Sequence, residues 1–324
     1  MQHSPLYLLN LMENPHQILD DLKPEKEFFV GIDSDGCAFD TMEIKQKECF
    51  YPNTLKFWNL QAVSKYTREA IEFVNLYSKS RGVNRFPALI EVLELLRERP
   101  EVIALNVNIP DMTPLIEWTK KETKLGNPAL KKYMEQTHDP IITTAYNWSE
   151  AVNKTIKEIV HGIPPFPYVR ESLIKLTAKA DAIVVSQTPG EALKREWEEH
   201  QMDQYVRVIC GQEYGTKAEH LKYAAKGKYP DHKILMIGDA PGDLEAVKSN
   251  GVLFYPINPG DEDASWERFS NEALDRFLAG TYAGAYEKAL IEEFDRYLPG
   301  TPPWKKQEII SHRVTETRRR VGRK

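Results

Sequence analysis

Phe28-Phe29-Val30-Gly31-Ile32-Asp33-Ser34-Asp35-Gly36-Cys37-Ala38-Phe39-Asp40 is the stretch on which the fold turns. Its first five residues show no polar alternation, the pattern of a strand covered on both faces. The strand then ends in two carboxylates one residue apart, followed by a glycine. Four more short apolar runs lie at Ala182–Val185, Val206–Cys210, Lys233–Ile237 and Val252–Ile257. Helical patterns separate the later runs, at Val169–Lys179, Gly190–His200, Lys217–Lys226 and Leu244–Asn250. Strand alternating with helix specifies an α/β, Rossmann-like parallel sheet core with helices on both faces.

The first two runs break that rhythm. Between Asp40 and Pro164 the apolar residues recur at helical spacing, as in Tyr66, Ala70, Phe73, Val74 and Tyr77, and again in Trp148, Val152, Ile156 and Ile159. Thr113-Pro114 and Asn127-Pro128 each set a capping residue before a proline, a helix start. A short strand is expected only at Val102–Val107. Ile163–Pro167, with three prolines, reads as a linker. The expected organisation is a discontinuous core of residues 1–40 and 165–324, with an α-helical cap domain, 41–164, inserted after the first strand. Trp266–Leu278 and Tyr286–Tyr297 are expected helices on the outside of the core.

Composition narrows the function. The 324 residues carry 43 Lys and Arg against 48 Asp and Glu, a net charge of −5, so there is no global basic field for nucleic acid. No apolar run reaches the roughly 18–20 residues of a membrane span, and Leu6–Met12 lacks the basic flank of a signal peptide. Cys37, Cys49 and Cys210 are too few and too widely spaced for a disulfide framework or a cysteine zinc site. The expectation is a cytoplasmic protein with no membrane or nucleic-acid partner. From His312 onward the chain is basic, which reads as a solvated tail.

The chemistry-bearing residues sit at strand ends. Ile234-Leu235-Met236-Ile237-Gly238-Asp239-Ala240-Pro241-Gly242-Asp243 repeats the theme of the opening stretch, a strand delivering acids to the sheet's carboxyl rim. By composition alone the two patterns co-occur in roughly three chains per thousand of this length. Carboxylates crowded on one rim repel each other unless a cation neutralises them, and oxygen-only ligands select a hard ion. Asp243 also fits the bland role of capping the helix it opens.

Asp33-Ser34-Asp35-Gly36 and Gly238-Asp239 with Asp243 resemble the first and fourth motifs of the haloacid-dehalogenase-like hydrolase superfamily. Val184-Val185-Ser186 is similar to the family's hydroxyl-terminated second strand, and Lys217 in Tyr214-Gly215-Thr216-Lys217-Ala218-Glu219 to its motif lysine. The resemblance runs from Phe28 to Ile257, and the position of the insertion is similar to the phosphoglycolate-phosphatase and β-phosphoglucomutase-like branch. It implies that Asp33 is the nucleophile, forming an aspartyl phosphate. It implies that Asp35 is the general acid and base, which calls for a raised pKa. Ser186 and Lys217 would bind the phosphoryl oxygens. Mg²⁺ would be held by Asp33, the backbone carbonyl of Asp35 and Asp239, with Asp243 a further ligand or an orienter of bound water. The chain departs from the family pattern at Ser34 and Cys37, neither of which removes a needed charge. Cys37 reads as a small packed thiol, and Ser34 as added room or an added hydrogen bond.

The acid at position 35 points to phosphoryl transfer rather than dehalogenation. The expected activity is a Mg²⁺-dependent phosphatase, a phosphoric monoester hydrolase acting on a small phosphorylated metabolite. The alternatives are a phosphomutase of the β-phosphoglucomutase type and a non-catalytic metabolite-binding protein. The substrate-binding candidates are Gly36 in the strand-end loop, Gln187 beside Ser186, and Arg81 and Arg85 in the basic segment Tyr77–Pro87. His138-Asp139 and His161 read as loop and helix-end residues.

Overall fold

A computed structural model describes residues 15–305; the apolar run at Leu6–Met12 and the basic tail from His312 lie outside the described residues. The five apolar runs form β1 (Phe28–Ile32), β2 (Ala180–Val185), β3 (Val208–Cys210), β4 (Ile234–Gly238) and β5 (Leu253–Pro256). They build one sheet in the order β3-β2-β1-β4-β5, with every pair parallel. Side chains alternate across it, as strand geometry requires. Phe28, Val30 and Ile32 of β1 enter one apolar cluster with Leu235, Ile237 and Tyr255. Phe29 enters the other with Ile183, Met236 and Phe254.

Register converts this sheet into a site. Ile32 pairs with both Ile237 of β4 and Val184 of β2. Asp33, one residue on, therefore stands level with the ends of β2 and β4, where Ser186 and Asp239 emerge. The order reverses here, since β2 and β3 lie on one side of β1 and β4 and β5 on the other. Such a switch opens a crevice at the carboxyl ends of the strands.

The helices between Thr41 and Ile159 gather around a separate apolar cluster, centred on Trp58, Phe73, Leu93, Trp118 and Trp148. The longest are α1 (Ser64–Leu76), α2 (Arg85–Glu98) and α3 (Pro140–Ile159). At Val102 the structure departs from the expected strand: Pro100–Ala104 is a short helix, and Val102 is buried in the helical cluster. Pro100 at the first turn presets the helical φ, and the run finds no strand partner among the described residues. His138 takes the left-handed position that ends Asn127–Thr137, and Asp139 caps α3 through the amides of Ile141 and Ile142.

In the core, α4 (Val169–Thr177), α5 (Gly190–Glu199), α6 (Lys217–Ala224) and α7 (Pro241–Asn250) follow the expected connections, and α8 (Ala285–Tyr297) covers β5. Gly31 lets α6 approach the sheet: a Cβ there would stand 3.0 Å from both Leu221 and Val185. The segment after α8 crosses to the helical domain, where Trp304 packs on that domain's apolar cluster. The Arg99 guanidinium lies 4.6 Å from the Trp304 ring centre and 4.4 Å from that of Tyr66, and Lys305 pairs with Glu98 at 2.6 Å. We expect Trp304→Ala to cost about 2 kcal/mol in urea unfolding, from lost packing and the lost cation–π contact. An unchanged unfolding midpoint would mean that this crossing adds nothing to stability.

Candidate active site

Asp33 follows β1, Asp239 follows β4, and Asp243 lies in the first turn of α7. Their carboxylates each offer an oxygen within 4.8 Å of the others, and all three residues are buried. Lys217, at the start of α6, reaches between two of them. Its Nζ is 2.6 Å from Asp33 Oδ2 and 2.5 Å from Asp243 Oδ1. The remaining oxygens are accounted for one by one. Asp33 Oδ1 accepts from the Ser34 amide. Asp243 Oδ2 accepts from the amides of Asp239 and Ala240, so the capping role read from sequence and membership of the acid cluster are one arrangement. Asp239 Oδ2 is taken by Arg81, and Asp239 Oδ1 is buried with no hydrogen-bond partner.

Burial pushes the Asp33 carboxyl well above the usual range; Lys217 opposes this, while Asp243 and Asp239 add to it. Burial alone would discharge Lys217, but Asp243, Asp33 and Asp239 outweigh it and keep the ammonium protonated. A buried oxygen without a donor, within a trio of hard oxygen ligands, fits a divalent cation such as Mg²⁺. These residues would hold it through Asp33, Asp239 and Asp243.

Asp35 is turned elsewhere. Its Oδ1 accepts from Thr41 Oγ1 and Lys45 Nζ, each at 2.5 Å, and its Oδ2 from Thr188 Oγ1 at 2.6 Å. The raised pKa expected for this acid is not what these contacts produce. Burial acts upward, but the Lys45 charge and the three donated hydrogen bonds outweigh it and hold the carboxyl below its ordinary value. Asp35 is thus ionised in this arrangement.

The other expected site residues divide. Ser186 is buried on the rim, its hydroxyl accepting from the Thr188 amide. Gly36 takes a left-handed φ of +73°, and a Cβ there would fall 2.5 Å from Arg81 Nη2. Gln187 spends its amide group on the carbonyl of Gly215, beside the loop that opens α6. Arg81 reaches the acids from the turn after α1. Arg85 does not reach them. As the first residue of α2 it points into the helical domain, donating to Ser149 Oγ and Asn153 Oδ1 and lying 5.2 Å from the Phe50 ring centre. Burial there lowers its pKa to about 10.

Three residues escaped the sequence reading: Thr41, Lys45 and Glu196. Lys45 lies in the π-helical stretch Lys45–Phe50, which continues from Thr41–Ile44, and no local pattern marks it as a partner of Asp35. Glu196 had a signal in Ser34. The Ser34 hydroxyl donates to Glu196 Oε2 at 2.8 Å and accepts from Trp197 Nε1 at 2.9 Å, so the departure at position 34 supplies hydrogen bonds. Cys37 is a buried, packed thiol.

Burial, then the charge of Asp35, raises the Glu196 pKa to about 7. Between its ordinary value and that one, the native state binds a proton that the unfolded chain has lost. Stability therefore falls as pH rises through this window. Glu196→Gln, assayed in EDTA, is expected to match the wild type near pH 5 and to exceed it by about 1–3 kcal/mol near pH 8. Equal unfolding midpoints at both pH values would show that Glu196 does not titrate in this way.

Comparison with known proteins bears on this geometry. Residues 113–256 match the family described as haloacid dehalogenase-like hydrolase, a span from within the helical domain to the end of β5. No curated protein matches the chain. Among solved structures it is similar to a haloacid dehalogenase-like family hydrolase of Streptococcus pneumoniae, at 13% identity and TM-score 0.43, covering 76% of this chain and 91% of that one. It is also similar to a HAD-superfamily hydrolase, subfamily IA, of Geobacter sulfurreducens, at 16% identity and TM-score 0.37, covering 72% and 90%. A third, a haloacid dehalogenase-like family hydrolase of Xanthomonas campestris, shows 13% identity and TM-score 0.41, covering 80% and 96%. Among the described residues no helix is long and apolar enough to cross a membrane. The matched span carries β2 to β5 and the strand-end motif of Asp239 and Asp243, and over it the chain resembles the haloacid dehalogenase-like hydrolases.

Proposed function

We propose that this protein is a Mg²⁺-dependent phosphatase that hydrolyses a small phosphate monoester through an aspartyl-phosphate intermediate on Asp33, with residues 41–164 as a cap over the site. The observation that carries the reading is the Asp33 carboxylate at the end of β1, paired to Lys217 and grouped with Asp239 and Asp243, with Asp35 two residues away. Asp33 attacks phosphorus in line, its oxygen bonding to phosphorus as the bond to the leaving oxygen breaks. Lys217 and the Ser186 hydroxyl meet the phosphoryl oxygens, where charge is redistributed in the transition state. Bound Mg²⁺ supplies further neutralisation of those oxygens.

Asp35 serves both halves of the reaction. In its ionised form it takes a proton from the water that attacks the aspartyl phosphate, which frees phosphate and restores Asp33. To protonate the leaving oxygen in the first half, it must itself carry a proton, and that requires Lys45 to withdraw. Lys45 belongs to the segment leading into the cap, so movement of this segment would set the protonation of Asp35.

The test is phosphate release from a panel of phosphorylated metabolites, in Mg²⁺ and in EDTA. Release that depends on Mg²⁺ is the expected result. No release from any member by folded protein with Mg²⁺ present would overturn the phosphatase reading, and turnover that requires a hexose bisphosphate would favour a mutase.

A further inference from the structure

We infer that Arg81 is a positioning residue of the cation site, through which closure of the helical domain governs how strongly that site takes up a divalent cation. This rests on the reading above that Asp33, Asp239 and Asp243 hold the cation. Arg81 lies between α1 and α2 and is 3% exposed. Its Nε and Nη2 both reach a single oxygen, Asp239 Oδ2, at 2.7 and 2.6 Å. Nη1 donates to the Leu76 carbonyl at 2.8 Å, and Nη2 also to the Gly36 carbonyl at 3.3 Å. The fork is spent on protein acceptors, which sets it apart from a residue waiting for substrate.

The surroundings are fitted to it. The core loop leaves the guanidinium its space at Gly36, where a Cβ would come within 2.5 Å, and Gly82 lies so close to Ala240 that a Cβ there would stand 3.0 Å from the alanine Cβ. Gripping one oxygen from two nitrogens fixes the rotamer of Asp239 and leaves Oδ1, the oxygen without a partner, to the acid trio.

The guanidinium is charged at every relevant pH. While the helical domain is closed, it shares the charge of the carboxylate that the cation needs, and two positive centres on one buried carboxylate oppose each other. A phosphoryl dianion offsets that excess, so cation and phosphorylated substrate are taken up together more strongly than either alone. The linkers that would carry the opening border a cavity of about 580 Å³ lined by Asp40, Ile44, Lys47, Ile163 and Phe166 among others, which leaves room for the helical domain to turn. Removing the Arg81 charge leaves the buried Asp239 without its paired guanidinium, with Lys217 the remaining nearby positive charge. The cation then meets no competitor, and its binding contributes more to folding stability.

The experiment is calorimetric titration of MgCl₂ into metal-free wild type, Arg81→Gln, Arg81→Lys and Asp239→Asn, with thermal unfolding in EDTA and in MgCl₂. Arg81→Gln is expected to bind Mg²⁺ about tenfold more tightly than wild type, to melt lower in EDTA, and to gain more from Mg²⁺. Arg81→Lys keeps the charge and is expected to stay within about threefold of wild type. Inorganic phosphate is expected to tighten Mg²⁺ binding more in wild type than in Arg81→Gln. If Asp239→Asn loses binding while folded Arg81→Gln binds no more tightly than wild type, the role of Arg81 is overturned and the cation site stands. If Asp239→Asn binds as wild type does, the cation does not sit on these carboxylates and both readings fall. Should Arg81→Gln fail to fold, Gly82→Val displaces the same loop from Ala240 without changing a charge. Tighter Mg²⁺ binding by that variant supports the proposal, and unchanged binding overturns it.

Discussion

Asp33→Asn is expected to reduce phosphate release by roughly 10³-fold or more while the protein stays folded. The loss is chemical. An amide oxygen lacks the charge to attack phosphorus, and no other acid stands at the end of β1 in its place. Asp35 is held by Thr41, Lys45 and Thr188, and Asp243 by Lys217 and two backbone amides. The fold survives because the asparagine oxygen can still accept from the Ser34 amide, as Asp33 Oδ1 does. Removing a carboxyl that burial already disfavours in its charged form also offsets the loss of its pair with Lys217. The measurement is kcat on the best substrate of the panel, beside a thermal melt of the same preparation. A folded variant that kept a tenth of wild-type turnover would remove Asp33 from the role of nucleophile.

Lys217→Met carries the second large effect, on stability as well as on rate. The methionine roughly fills the volume of the stem, but Asp33 and Asp243 lose the ammonium that pairs with both. A buried acid pair without its counter-ion destabilises by about 3–5 kcal/mol. The pH dependence separates this from lost packing. The folded-state pKa of Lys217 is raised above its ordinary value, so its contribution is complete at neutral and acidic pH and is lost only as pH rises through that higher value. Over pH 5 to 8 the wild-type contribution of Lys217 is therefore flat. In the variant Asp33, whose charged form burial already disfavours, sheds its charge by taking up a proton, so the deficit should shrink as the pH is lowered toward 5. Urea unfolding in EDTA at the two pH values reads this directly. A deficit independent of pH would assign the loss to packing instead. Turnover is expected to fall about 10²-fold or more, since the phosphoryl oxygens lose a charged partner.

The strands, their parallel arrangement and the two acid-bearing strand ends were legible in the sequence because each is a local signal. Continuous apolarity over about five residues marks a strand covered on both faces, and β1 begins and ends where that run does. Asp33, Asp239 and Asp243 stand out for the same reason: each lies within a few residues of an apolar run that must end where the polar chain begins. Lys217 could be found by resemblance, with its mild conflict with the helix dipole as a hint. The short helix at Pro100–Ala104 was misread because Val102, Ile103, Leu105 and Val107 are apolar at both periods, and only burial against the helical cluster decides between them.

What the sequence could not decide was partner choice across the chain. Arg81 and Arg85 are four residues apart in one basic segment, yet one is bound to a core carboxylate 158 positions away and the other is buried against α3. Composition makes them equivalent; the start of α2 at Arg85 separates them, because helical geometry then fixes the direction of its side chain. The protonation of Asp35 was undecidable for the same reason. Burial and neighbouring acids would raise its pKa, but Lys45 and Thr188 arrive from two other segments and reverse the sign. Which acids reach the rim of the sheet is a local matter, since it depends on where each strand stops. Which cations meet them, and at what charge, is settled by packing, since those contacts form between segments whose spacing along the chain carries no information about their distance in space.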